Sequence, residues 1–152
     1  MRRAARSPIR WWFDAADAME ALCARRAFVS WLRATCAPAS DFGAAEIVFG
    51  ELIANVVRHA PGAIRIVAEA HARGSVVLTV CDTGPGFASV PAAPPHATSE
   101  NGRGLYIVSR LAGKLKVTRS EDGHRVSVVL PVTAIQSVAR VELSAVAAKP
   151  YV

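Results

Sequence analysis

Residues 51–62 read ELIANVVRHAPG, and how this stretch is parsed decides the fold. Its apolar members continue a series, Ile47, Val48, Leu52, Ile53 and Val56, that recurs at helical spacing. Asp41 is an N-cap candidate for that helix, and Pro61-Gly62 stops it at about His59. Glu51 and Asn55 stand four residues apart, so they share one helix face, separated by about 6 Å along the axis. There a carboxylate and a neutral amide can divide labour. The amide oxygen can ligate Mg²⁺, a hard cation that keeps several waters, while the carboxylate accepts a proton from an attacking hydroxyl. His59 extends the same stripe by one turn. An ordinary solvated helix face would carry the same pair, so these residues alone leave the choice open.

Two further motifs lie downstream. Residues 80–87, VCDTGPGF, follow a strand rich in valine and leucine. Glycines there permit close backbone approach to a flat ligand, and Asp82 can accept a hydrogen bond from an exocyclic amine such as adenine N6. A plain turn fits the same letters. Residues 101–113, NGRGLYIVSRLAG, take a glycine-rich loop into a helix. Backbone N–H groups at a helix start form a phosphate cradle, and Arg103 can add a charge-assisted contact. The bland reading is a flexible connector. No G-x-x-x-x-G-K-[ST] occurs, and no strand immediately precedes the G-x-G, so neither a Walker A loop nor a dinucleotide fingerprint is present.

The remaining chain supplies the frame. Residues 9–15 predict a strand. Asp17 with Glu20 predicts a capping box opening a helix to about Cys36, with Leu22, Phe28, Val29 and Leu32 as its apolar side. Segments 63–70 and 75–82 predict a hairpin turning at Arg73-Gly74, and Leu105–Ala112 a short helix ended by Gly113. Residues 114–120 and 125–132 predict a second hairpin across Glu121-Asp122-Gly123. Stretch 83–104 is a long connection, a length usually functional or mobile. Segment 132–152 has no clear pattern. The order β-α-α-β-β-loop-α-β-β predicts a two-layer α/β (α+β) sandwich within one domain spanning 1–152, a mixed, mostly antiparallel sheet with helices on one face.

The chain has 152 residues, 52% hydrophobic and 20% charged, enough apolar content to fill a core and exclude wholesale disorder. A net charge of +6 suits anionic ligands without choosing among them. Cys23, Cys36 and Cys81 are odd in number and widely spaced, which predicts buried thiols in a reducing compartment rather than a disulfide framework or zinc site. No stretch approaches the ~18–20 apolar residues of a spanning helix. The basic start (Arg2, Arg3, Arg6, Arg10) is followed by Asp14, Asp17 and Glu20 where a signal peptide would be uncharged, so the expected location is cytoplasmic, without membrane contact.

In this order and spacing, ELIANVVRHAPG, VCDTGPGF and NGRGLYIVSRLAG resemble the N, G1 and G2 boxes of the GHKL ATPase superfamily, which shares the Bergerat ATP-binding fold. The likeness is nearest to the RsbW-type anti-sigma factor serine/threonine kinases and covers roughly residues 9–131. It implies ATP and Mg²⁺ as cofactors and Glu51 as general base. It implies Asn55 as the Mg²⁺ ligand, Asp82 as the reader of the adenine amino group, and Gly84 and Gly86 as lining for the base pocket. Gly102 and Gly104 match lid glycines, and Arg103 and Leu105 complete the nucleotide-binding set, with 88–101 as the lid. Arg58 and His59 fit the pattern after the N box, where helix-end cations are an adequate second account. The implied acceptor is a serine on an anti-anti-sigma (STAS-domain) protein, and the implied second partner a sigma factor; related kinases often form homodimers. Two departures stand out: Asn101 where many relatives carry glycine, and the proline- and alanine-rich ASVPAAPPHATSE, 88–100.

Three rivals remain at this stage. The same fold could hold ATP as a conformational switch without kinase activity. A histidine-kinase catalytic domain would want an upstream phosphoacceptor hairpin, for which the roughly forty residues before Asp41 leave little room. A direct nucleic-acid binder is disfavoured because the arginines scatter between N-terminus, helix and loop.

Overall fold

Asp17 opens the first helix because its carboxylate accepts from the backbone N–H groups of Met19 and Glu20, at 3.1 and 3.0 Å. The expected reciprocal half of a capping box is replaced, since the Asp17 N–H donates to the Asp14 carbonyl at 2.9 Å. In this computed structural model residues 7–60, 62–84 and 103–136 are described. Their order is β1 (Ile9–Asp14), α1 (Ala18–Thr35), α2 (Phe42–His59), β2 (Ala63–Ala70), β3 (Val76–Asp82), α3 (Arg103–Leu111), β4 (Leu115–Ser120) and β5 (Gly123–Val129). No described helix is long and apolar enough to cross a membrane.

The strands form one open sheet in the order β1-β2-β3-β5-β4. The sheet expected to be mixed and mostly antiparallel is antiparallel at each of these four pairings. Alternation along the strands sends Ile64, Ile66, Val76, Leu78, Val80, Val126 and Val128 inward, where each is nearly or fully buried. The helices cover this face and make the second layer of the sandwich. Phe28 of α1 stacks on Phe49 of α2 with ring centroids 4.5 Å apart, and Trp11 of β1 meets both edge-on. Burying each such ring contributes roughly 1.5–3 kcal/mol.

The helix patterns need two corrections. α1 buries Ala24, Phe28, Leu32 and Thr35, whereas Leu22 points outward and is 43% exposed. α2 buries Val48, Leu52, Ile53 and Val56 as expected, but Ile47 lies outside the stripe. Both misplaced residues sit a full step round the helix from the buried row. The thiols also differ from expectation: Cys36 is buried, Cys81 half-buried and Cys23 exposed, all three free.

The first part of the tail, left unplaced by its pattern, is sewn to the core by backbone bonds. Thr133 accepts from the Ala37 N–H at 2.8 Å, Ala134 donates to the Gly74 carbonyl at 2.7 Å, and Ile135 donates to the Thr35 carbonyl at 2.8 Å. Residues 137–152 lie outside the described residues.

Candidate functional site

The site begins with α2. Its N-cap, Asp41, accepts from the Ala44 N–H at 2.9 Å, and the helix runs unbroken to His59 with Ala60 as C-cap. Glu51 and Asn55 are half-buried at the border of the apolar stripe, while Arg58 and His59 are exposed in the last turn. Glu51 and Ala60 are nine residues apart, so α2 spans about 14 Å between them. Each end of that span touches another motif.

At Glu51 the neighbour is α3. This helix starts at Arg103, two residues earlier than the sequence pattern predicts, so Arg103 and Gly104 belong to its first turn rather than to a loop. A Cβ at position 104 would overlap Glu51 Oε2, which shows how closely the two helices approach. Arg103 is exposed at the helix start. Leu105 turns its side chain into the core beside Val108, leaving its backbone as the part a nucleotide could meet. First-turn N–H groups lack intrahelical acceptors and favour anions.

At Ala60 the neighbour is the end of β3. A Cβ on Gly84 would strike Cβ of Ala60, with Cα only 2.8 Å away, so the chain leaving β3 runs directly against the end of α2. Asp82 closes β3, its side chain only 8% exposed. Its Oδ1 accepts from the Gly84 N–H at 2.8 Å, which fixes the carboxylate at the turn.

His124, on β5, is a residue the sequence reading missed. Its Nδ1 lies 3.0 Å from Asp82 Oδ1, and its Nε2 is buried without a hydrogen-bond partner among the described residues. The signal was present: His124, Val126 and Val128 alternate inward along β5. It was obscured because the turn was expected to extend through Gly123. The loop is Glu121-Asp122, with Ser120 opposite Gly123 in register. Gly123 has φ +131°, and a Cβ there would collide with the Asp82 carbonyl, so the start of β5 passes tightly beside the site's carboxylate.

The structure therefore links Glu51 to Gly104 and Asp82 to Gly84, with α2 joining the two pairs and Asn55 between them. Gly86, Gly102 and the expected lid 88–101 lie outside the described residues. No cluster of three or more His, Cys, Asp or Glu side chains suited to a metal occurs among the described residues. The Asn55 amide oxygen still fits Mg²⁺, a hard cation that takes few protein oxygens and fills its other positions with phosphates and waters. Two surface hollows, one of about 390 Å³ lined by Leu22, Phe49, Ile53 and Val57, lie between α1 and α2 and include neither Glu51 nor Asp82.

A sandwich of this topology, with α2 set against the start of α3 and a carboxylate at the end of β3, has the architecture of a kinase-like ATPase domain. The sequence profile of the histidine kinase-like ATPase domain matches residues 14–130, and the chain belongs to that family. The GHKL resemblance seen in the three boxes is thereby met. A solved structure of the RsbU and RsbW domains of Rv1364c from Mycobacterium tuberculosis is similar, with TM-score 0.60 and 18% identity over 87% of this chain and 34% of that one. The chain thus spans about a third of that structure, and the likeness is one of fold. The Acinetobacter baumannii histidine kinase AdeS is also similar, with TM-score 0.48 and 19% identity over 81% of this chain and 67% of that one. No curated protein sequence matches the chain.

Proposed function

We propose that this chain is an ATP-dependent protein serine/threonine kinase of the anti-sigma factor type, acting in the cytoplasm as one domain. Its acceptor would be a serine on an anti-anti-sigma (STAS-domain) protein, and a sigma factor would be its second partner. The observation that carries the reading is the meeting of Glu51 with Gly104, which sets a carboxylate at the start of α3. A general base is useful only within reach of the proton it takes, and phosphate favours a helix start.

In this reading Glu51 accepts the proton of the attacking serine hydroxyl as its oxygen bonds to the γ-phosphorus of the substrate ATP, while the bond from that phosphorus to the β,γ-bridging oxygen breaks and ADP leaves. Asn55 holds Mg²⁺, which when bound offsets phosphate charge. The N–H groups of Gly104 and Leu105 and the guanidinium of Arg103 orient the phosphates, with Gly102 matching a further lid glycine of the family. Asp82 reads the adenine amino group, and Gly84 and Gly86 leave room for the base. The basic surface balance suits the anionic ligand.

Incubation of the chain with γ-labelled ATP and STAS proteins from the same genome tests this. Label on a serine in the wild type, and its loss by a factor of about 10²–10⁴ in Glu51→Gln with ATP affinity kept, is the expected result. ATP binding without any labelled serine across those partners would replace the kinase with a passive nucleotide switch.

A further inference from the structure

We propose that His124 is the positioning residue of Asp82 and sets the preference of the site for a 6-amino over a 6-oxo purine; this rests on reading Asp82 as the base-recognising carboxylate. The antiparallel register of β3 and β5 places Asp82 directly opposite His124. Both side chains lie on the face where Val80 and Val126 are buried, and His124 is itself only 5% exposed. Asp82 Oδ1 is held from two sides, by the Gly84 N–H at 2.8 Å and by His124 Nδ1 at 3.0 Å.

An ionised carboxylate only accepts hydrogen bonds, so the imidazole proton facing it sits on Nδ1. In a neutral ring this tautomer leaves Nε2 as an acceptor, and Nε2 is buried and without a partner among the described residues. Buried polar atoms are nearly always paired, and a lone one beside the carboxylate marks a place where a bound water or ligand donor completes the network. A histidine serving only as core filler would gain nothing over leucine at this inward position of β5.

The consequence is selectivity. With both contacts falling on Oδ1, the second carboxylate oxygen is the one turned over to the base. Held in one orientation, it accepts from a 6-amino group and faces the lone pairs of a 6-oxo group unfavourably. Released from His124, the carboxylate can rotate, and both the attraction and the repulsion weaken. His124 thus acts through Asp82 on base choice and leaves proton transfer at Glu51 untouched.

The experiment compares ATP with inosine triphosphate, which differ at the 6-position, by competition against a fluorescent nucleotide on the full chain. Four forms are used: wild type, Asp82→Asn, His124→Leu and His124→Asn. His124→Leu is expected to lose about tenfold or more of its ATP affinity while binding inosine triphosphate as well as or better than the wild type, because the Asp82 carboxylate is no longer held against the 6-position. His124→Asn, whose amide can still donate to Oδ1, is expected to recover most of the preference. Should His124→Leu fail to fold, ¹⁵N-histidine spectra of the wild type carry the test: a proton on Nδ1 and an Nε2 signal that moves with ATP are expected. A proton on Nε2, or a wild-type ATP preference in His124→Leu while Asp82→Asn loses it, overturns the role of His124 alone. An unchanged preference in Asp82→Asn overturns the base-reading assignment beneath it.

Discussion

Gly104 in the first turn of α3 faces Glu51 on α2 with no room for a side chain between them: a Cβ at 104 would overlap Oε2 and stand 3.3 Å from Cδ. The obstructed atom is the tip of a flexible side chain, so the fold can absorb a methyl group while the carboxylate cannot keep its place. Ala is also the better helix former, by up to about 1 kcal/mol. Gly104→Ala is therefore expected to unfold at or slightly above the wild-type temperature while losing phosphoryl transfer at least tenfold, because a base displaced by about 1 Å forfeits that much. Calorimetric melting and γ-label transfer on the same sample check both halves.

Asn55 lies one helical turn beyond Glu51 on the same border of α2. Asn55→Ala is expected to remove the Mg²⁺-dependent part of ATP affinity and leave metal-free binding nearly unchanged, since Asp82 and the start of α3 are untouched. Titrations of ATP with and without magnesium measure the difference. Identical metal dependence in wild type and variant would assign the ligand elsewhere.

Gly123 combines a φ of +131° with backbone contact to Asp82 and Thr83, whose Cα would be 2.8 Å from an added Cβ. Here the obstruction is main chain, which has nowhere to go. Gly123→Ala is expected to cost at least about 1–3 kcal/mol of stability and to weaken ATP binding by moving Asp82. Urea unfolding reads the first effect, and an unshifted midpoint would contradict the collision.

Burial pushes the Cys36 thiol above its ordinary value. The folded chain then keeps a proton that the unfolded chain loses. This contribution to stability is fully present below the unfolded thiol's value and is lost as pH rises toward the folded one. Stability is expected to fall in the alkaline range, less so in Cys36→Ala, as denaturant midpoints between pH 7 and 10 will register. At pH 8 an aromatic disulfide reagent is expected to titrate the exposed Cys23 first and Cys36 only on unfolding.

Local signals carried most of the elements. Asp17 and Asp41 marked two helix starts, because an N-cap acts within three residues, and apolar runs over 63–70 and 75–82 marked two strands, observed as β2 and β3. The three boxes likewise announced the family, since each keeps its chemistry in a short contiguous run. Helix faces were less legible: Leu22 and Ile47 are as apolar as their buried neighbours, and only the packing of α1 and α2 on the sheet decides which side is covered.

Within the site, the amino-acid order by itself determined that Glu51 and Asn55 share a face, that Asp82 ends a strand and that Gly104 stands near a helix start. Helical and strand periodicities are local geometry, so they survive without knowledge of the fold. Only the tertiary structure decided that Gly104 touches Glu51, that Gly84 abuts Ala60, and that His124, forty-two residues from Asp82, meets its carboxylate. Those contacts depend on strand order and on the angle at which one helix crosses another. Such quantities are set by how the whole core packs, and no short window of sequence contains them.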